Sequence, residues 1–179
     1  AMGGNEYDQG TGVAVDGEGN LYSTGTFRGT VDLDPGPGVF NITSDAFIEA
    51  NYICKLNVSG EFQWAYALGG GGIGAAPSVA VEGMEGVLLT GGFFGSVDFD
   101  PGPGVFTLST GRNERGFICK LDASGTFQWA AAIGTGAPSV GMTRPVSIAV
   151  DKAGNIFTPM HCAALAGIAV PALILLADH

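Results

Sequence analysis

Sixty-six residues separate two near-copies of one phrase in this chain. Val31-Asp32-Leu33-Asp34-Pro35-Gly36-Pro37-Gly38-Val39-Phe40 returns as Val97-Asp98-Phe99-Asp100-Pro101-Gly102-Pro103-Gly104-Val105-Phe106. Around it, Ile53-Cys54-Lys55-Leu56 returns as Ile118-Cys119-Lys120-Leu121, and Phe62-Gln63-Trp64-Ala65 as Phe127-Gln128-Trp129-Ala130. A fixed period of this length marks an array in which each unit closes its core only against its neighbours. A third copy begins at Ile148-Ala149-Val150-Asp151 and reaches Phe157-Thr158, where the pattern stops. The chain thus holds about two and a half units: a lead-in at 1–11, repeats at 12–77 and 78–146, the start of a third at 147–158, and a tail at 159–179 outside the pattern.

Each repeat supplies four strand-like runs. The first is Gly12 to Val15, matched by Ser78 to Val81 and Ser147 to Val150; the second is Leu21 to Phe27, matched by Val87 to Phe93. Turns rich in Asp, Gly and Asn join them, as at Asp16-Gly17-Glu18-Gly19-Asn20, and supply the positive φ that a tight hairpin needs. The third run, Tyr52 to Leu56 or Phe117 to Leu121, alternates Cys with Lys as a half-buried strand requires. A second hairpin leads to the fourth, Phe62 to Leu68 or Phe127 to Ile133. No window keeps a helical period. Four antiparallel strands per unit, repeated, predict an all-β fold of β-propeller blades.

The composition agrees. Of 179 residues 46% are apolar, 13% are charged and 31 are glycine, which describes a turn-rich, well-buried β protein. A net charge of -10 opposes the phosphate backbone of nucleic acid and an anionic membrane surface, whereas clustered Asp attracts a hard cation such as Ca²⁺. Cys54 and Cys119 are repeat-equivalent and read, with Cys162, as buried free thiols rather than a disulfide framework or a zinc site. The stretch from Ala163 to Ala177 is apolar but falls short of a membrane span and contains Pro171, so it reads as a buried or interface segment. Ala1-Met2-Gly3-Gly4 resembles a tag-cleavage scar, from which a native leader could have been removed.

Taken together, these motifs resemble the SBBP-type β-propeller repeats of large bacterial secreted and surface proteins. The residues that carry the likeness are a first strand ending Val-Asp-x-x-Gly-Asn, then Thr-Gly-x-Phe, the Asp-x-Asp-Pro-Gly-Pro-Gly loop, Lys-Leu-Asp-x-x-Gly and a Trp-Ala strand, over residues 12 to 158. The resemblance implies a propeller fold and an extracellular or cell-surface setting. It implies little about activity. The tail departs from the pattern, with Met160 standing where the repeats have Gly25 and Gly91, and Cys162 where they have Phe27 and Phe93.

Candidate chemistry begins with the Asp pairs. Asp32 and Asp34, repeated as Asp98 and Asp100, lie at i and i+2 on an extended segment, so their carboxylates share a face. With loop carbonyls they could ligate Ca²⁺, or they could cap the turn by hydrogen bonds to backbone N–H groups. The tail offers His161, Cys162 and His179 as possible ligands for another divalent metal, and His161 as a general base. Segments that lead into first strands border the channel of a propeller, which makes Asp8 and Arg144 pocket candidates. Trp64 and Trp129 read as inter-blade core in preference to sugar platforms. Gly69-Gly70-Gly71-Gly72-Ile73-Gly74 contains G-x-G-x-x-G but leads into a strand, so it is an inter-blade loop and not a dinucleotide site. No G-x-S-x-G or H-E-x-x-H occurs.

Two functions follow. One is a binding module for protein, glycan or a small molecule; the other is a metal-dependent hydrolase of esters, lactones or phosphotriesters with a cation in the channel. The absence of a repeated catalytic group favours the module. Two and a half blades leave bare edges, which predicts closure by homo-oligomerisation, with a trimer ahead of a dimer.

Overall fold

The computed structural model describes residues 2–44, 49–68, 77–111, 114–134, 143–162 and 170–176, with backbone alone at 143–144, 160–162 and 170–176. The first unit comprises β1 (Gly3–Gly4), β2 (Asp8–Val15), β3 (Leu21–Phe27), β4 (Thr30–Asp32), β5 (Asn41–Thr43), β6 (Ala50–Leu56) and β7 (Phe62–Leu68). Four of these form an antiparallel sheet in the order β2-β3-β6-β7. The second unit repeats the plan with β8 (Ser78–Glu82), β9 (Gly86–Phe93), β10 (Ser96–Asp98), β11 (Thr107–Ser109), β12 (Arg115–Asp122) and β13 (Phe127–Ile133), in a sheet ordered β8-β9-β12-β13. These are the two expected four-stranded blades.

A hairpin not expected from the sequence is inserted between the second and third strands of each blade. It is β4–β5 in the first unit and β10–β11 in the second, and its tip is the Asp-x-Asp-Pro-Gly-Pro-Gly loop. Leu33 and Phe99, just past β4 and β10, are buried, and their carbonyls face Cys54 Sγ (3.6 Å) and Cys119 Sγ (3.9 Å). β1 extends the first hairpin to three strands by pairing Gly3 with Asp32 and Gly4 with Val31.

A third sheet follows. β14 (Thr143–Pro145) and β15 (Ala149–Val150) share the place of a first strand, and both pair with β16 (Ile156–Cys162). β17 (Val170–Leu176) pairs along all seven residues of β16. The backbone therefore carries this sheet beyond Thr158 into the apolar tail. Among the described residues there is no helix long and apolar enough to cross a membrane.

A blade is one sheet, so its core lies between blades, and strand alternation decides which neighbour each side chain meets. Tyr22, Ile53 and Leu68 of the first blade join Val79, Leu89, Phe117, Cys119 and Leu121 of the second in one cluster. Leu88 and Ile118, one residue off that face, instead pack with Ile148 and Ile156 of the third sheet. β9 is buried along its whole length because it is covered on both sides.

Candidate functional site

The acidic loops are built as hydrogen-bonded turns. Asp32 Oδ1 accepts the N–H groups of Asp34 (3.0 Å) and Phe40 (2.9 Å), and Asp34 Oδ1 accepts that of Gly36 (2.7 Å). The second loop is a copy: Asp98 Oδ1 takes Asp100 (3.1 Å) and Phe106 (2.8 Å), and Asp100 Oδ1 takes Gly102 (2.8 Å). The Phe40 N–H and then the Asp34 N–H hold the Asp32 carboxyl below its ordinary value. A Cβ at Gly38 or Gly104 would force the Asp34 or Asp100 carboxylate to shift. One oxygen of each carboxylate thus caps the loop. Among the described residues, no three His, Cys, Asp or Glu side chains converge as a metal-binding group.

The same capping recurs in the turns between strands. Asp16 Oδ1 accepts from the N–H groups of Glu18 and Asn20, Asp151 Oδ1 from those of Ala153 and Asn155, and Asp122 Oδ1 from those of Ser124 and Thr126. Burial works against the Asp16 carboxylate, but Asn20, Glu18 and the Tyr22 hydroxyl together keep its pKa low. The Ser124 hydroxyl does so chiefly for Asp122, and the Asn155 side chain for Asp151. A depressed carboxyl pKa contributes stability that is present above the unfolded value and lost as pH falls through the folded one. Stability from these groups should therefore hold down to about pH 4 and drop below it. Asn57 occupies the place of Asp122 in the first blade and makes the same bonds to the N–H groups of Ser59 and Glu61 without a charge. Asp122→Asn is accordingly expected to lower the thermal midpoint slightly at pH 7 and to flatten its fall in acid, read by circular dichroism melts.

The blades meet at a joint in which Trp64 stands, as expected, between them. Register places Tyr22, Lys55 and Trp64 side by side across three strands. Lys55 Nζ donates to the Ala123 carbonyl (2.8 Å), and Trp64 Nε1 donates to the same oxygen (3.4 Å). The Trp64 ring meets Tyr22 edge-on with centroids 6.0 Å apart, and Lys55 Nζ lies 5.1 Å from the Tyr22 ring centre. Thr11 Oγ1 adds a bond to the Pro77 carbonyl (2.6 Å). In the second blade Leu88, Lys120 and Trp129 hold the same register, and Trp129 packs at the joint with the third sheet. There Lys120 Nζ pairs with Glu82 Oε2 at 2.7 Å in a largely buried contact. The signal available in sequence was the constant spacing from Lys to Trp in both units.

The remaining candidates divide. Asp8 is exposed, takes the Gly4 N–H on Oδ2 (2.6 Å), and borders a cavity of about 220 Å³ with Gln9 and Tyr52. Arg144 and His161 become cross-strand neighbours on β14 and β16, and Cys162 stands opposite Thr143. His179 and the loop from Gly69 to Gly74 lie outside the described residues. Cys54 and Cys119 are free and buried. Burial, assisted by Asp34 and Asp100 respectively, pushes each thiol up to about 12, so neither offers a thiolate to a metal or a substrate near neutral pH.

Stacked four-stranded antiparallel sheets with repeat-equivalent joints are the architecture of β-propeller blades. Residues 2–26 match the SBBP family, described as a beta-propeller repeat. Over 175 residues the chain is also 26% identical to the uncharacterized WD repeat-containing protein L264 of Acanthamoeba polyphaga mimivirus, an alignment that covers 84% of this chain. The chain spans only 12% of the length of that protein.

Proposed function

We propose that this chain is a propeller segment that serves as a non-catalytic binding module and assembles with further copies of itself, in an extracellular or cell-surface setting. The observation that carries this reading is what the repeated groups do. The repeated carboxylates cap loops, the repeated cysteines fill cores, and the repeated Lys–Trp pairs stand at the joints. At its hairpin tips the repeat also offers apolar groups to solvent. Val39 and Val105 are exposed at the hairpin tips, beside Phe40 on Phe62 (4.6 Å) and Phe106 on Phe127 (4.9 Å). Two such tips, one unit apart, suit an extended ligand with apolar or ring-faced groups, such as a glycan or peptide.

The test is a glycan and peptide array probed with the full chain and with a Val39→Glu, Val105→Glu double variant. Wild-type binding that the double variant loses at an unchanged melting temperature supports the reading. Turnover of an ester or phosphotriester panel, abolished by a chelator, would replace it with the hydrolase.

Calcium belongs to this proposal as a stabiliser of the acidic loops, supported by two Asp pairs at equivalent positions. Asn at 32, 34, 98 and 100 keeps an oxygen to cap the turn but removes the charge. With calcium bound, the fourfold Asp→Asn variant should lose several degrees of melting temperature in calcium and little in chelator. Equal midpoints in both media would leave the caps as the whole account.

A further inference from the structure

We infer that the two hairpin tips form a docking surface for an extended basic segment of another protein, one that carries apolar side chains among its lysines and arginines. The inference rests on the binding-module reading above and names the partner. The exposure of the tips does not depend on which neighbouring unit is present. Val39 has the following unit in place and is 72% exposed, whereas Val105 has the preceding unit in place and is 78% exposed. Phe40 and Phe106 are each 37% exposed. A neighbour on either side thus leaves a tip open.

Charge decides which partner suits them. Asp32 and Asp34 cap the first loop through Oδ1, as Asp98 and Asp100 cap the second. Among the described residues the second oxygen of each carboxylate accepts no hydrogen bond. Asp34 Oδ2 and Asp100 Oδ2 lie against Gly38 and Gly104, the residues that precede Val39 and Val105. The cations of the two blades are engaged elsewhere. Arg28 pairs with Glu49, Lys55 donates to the Ala123 carbonyl, Arg115 donates to that of Gly134, and Lys120 pairs with Glu82. Among the described residues no Lys or Arg pairs with a tip carboxylate. Exposed valines beside such carboxylates, on a chain of net charge -10, complement a partner that brings cationic and apolar side chains together. The same charges oppose an acidic peptide, and a neutral glycan makes no use of them.

Fluorescence anisotropy tests this on the full chain, in chelator so that calcium does not compete for the loops. The probe is a labelled peptide of repeated Lys-Lys-Val-Val, whose extended form shows both kinds of side chain on each face. Its counterparts are Glu-Glu-Val-Val and Lys-Lys-Ser-Ser peptides. The wild type should bind the Lys–Val peptide at least about tenfold more tightly than either counterpart, and sodium chloride should weaken that binding. Asp34→Asn with Asp100→Asn keeps the capping oxygens and should weaken it about tenfold, as should Val39→Ser with Val105→Ser. Glu85→Gln, at an exposed carboxylate on the β8–β9 turn, should leave it unchanged. Equal affinity for the Lys–Val and Glu–Val peptides overturns this inference, as does a loss with Glu85→Gln or an undiminished affinity in either double variant. A glycan or acidic peptide bound at the tips in place of the Lys–Val peptide also overturns it and leaves the binding module standing. A wild type that binds neither these peptides nor any member of the glycan and peptide array overturns both.

Discussion

Gly125→Ala should cost far more stability than Gly60→Ala, although the two glycines hold the same place in the same turn. Their φ angles are 86° and 79°, and each N–H closes its turn, on Asp122 at 2.9 Å and on Asn57 at 2.8 Å. The left-handed backbone penalises a Cβ equally at both, by about 1–2 kcal/mol. The surroundings differ. A Cβ on Gly60 meets nothing within 4 Å, whereas one on Gly125 would lie 2.7 Å from the Tyr66 ring and 3.1 Å from that of Trp64. Trp64 cannot retreat without losing the Ala123 carbonyl, so the overpacking should add about 1–3 kcal/mol. Urea unfolding of the two variants gives the difference directly. Equal losses would mean that the joint does not close as described.

Glu82→Gln should destabilise the chain by about 2 kcal/mol, and high salt should not restore it. The side chains of Glu82 and Lys120 are each 12% exposed, and their contact is 2.7 Å. Removing one charge from a buried pair takes away the counter-charge of the other, and screening by salt hardly reaches the site. Replacing both, as Glu82→Leu with Lys120→Met, should recover most of the loss, because apolar side chains of similar volume need no counter-charge. Urea midpoints of the single and double variants decide this. A Glu82→Gln loss below about 1 kcal/mol would place the pair in solvent instead.

The blades were legible because their information is periodic. Alternation in Ile53-Cys54-Lys55-Leu56 and the Asp-Gly-Asn turns specify strands and hairpins locally, and the second copy confirms the reading. The inserted hairpin was not legible. β4, β5, β10 and β11 are three residues each, too short for a period to show, and a Pro-Gly-Pro-Gly loop reads as punctuation. The acidic pairs were found by their spacing, but spacing could not say where their oxygens point. That depended on the N–H groups of Phe40 and Phe106, each eight residues downstream of the aspartate it bonds. Trp64 and Trp129 were legible as inter-blade core from their equivalence, but the acceptor at the first joint is a backbone carbonyl at Ala123, which no side-chain motif can advertise. The meeting of Arg144 with His161 depended likewise on the register of β14 on β16.

Amide hydrogen exchange, followed residue by residue in a sample dilute enough to hold single chains, tests the stacking of blades most directly. The amides of Gly60 and Gly125 close identical turns, and only Gly125 lies beneath a neighbouring blade. Gly125 should exchange at least about tenfold more slowly than Gly60, the ratio that about 1.4 kcal/mol of added local stability gives. Equal rates at the two glycines would contradict the blade-on-blade joint on which the whole account stands.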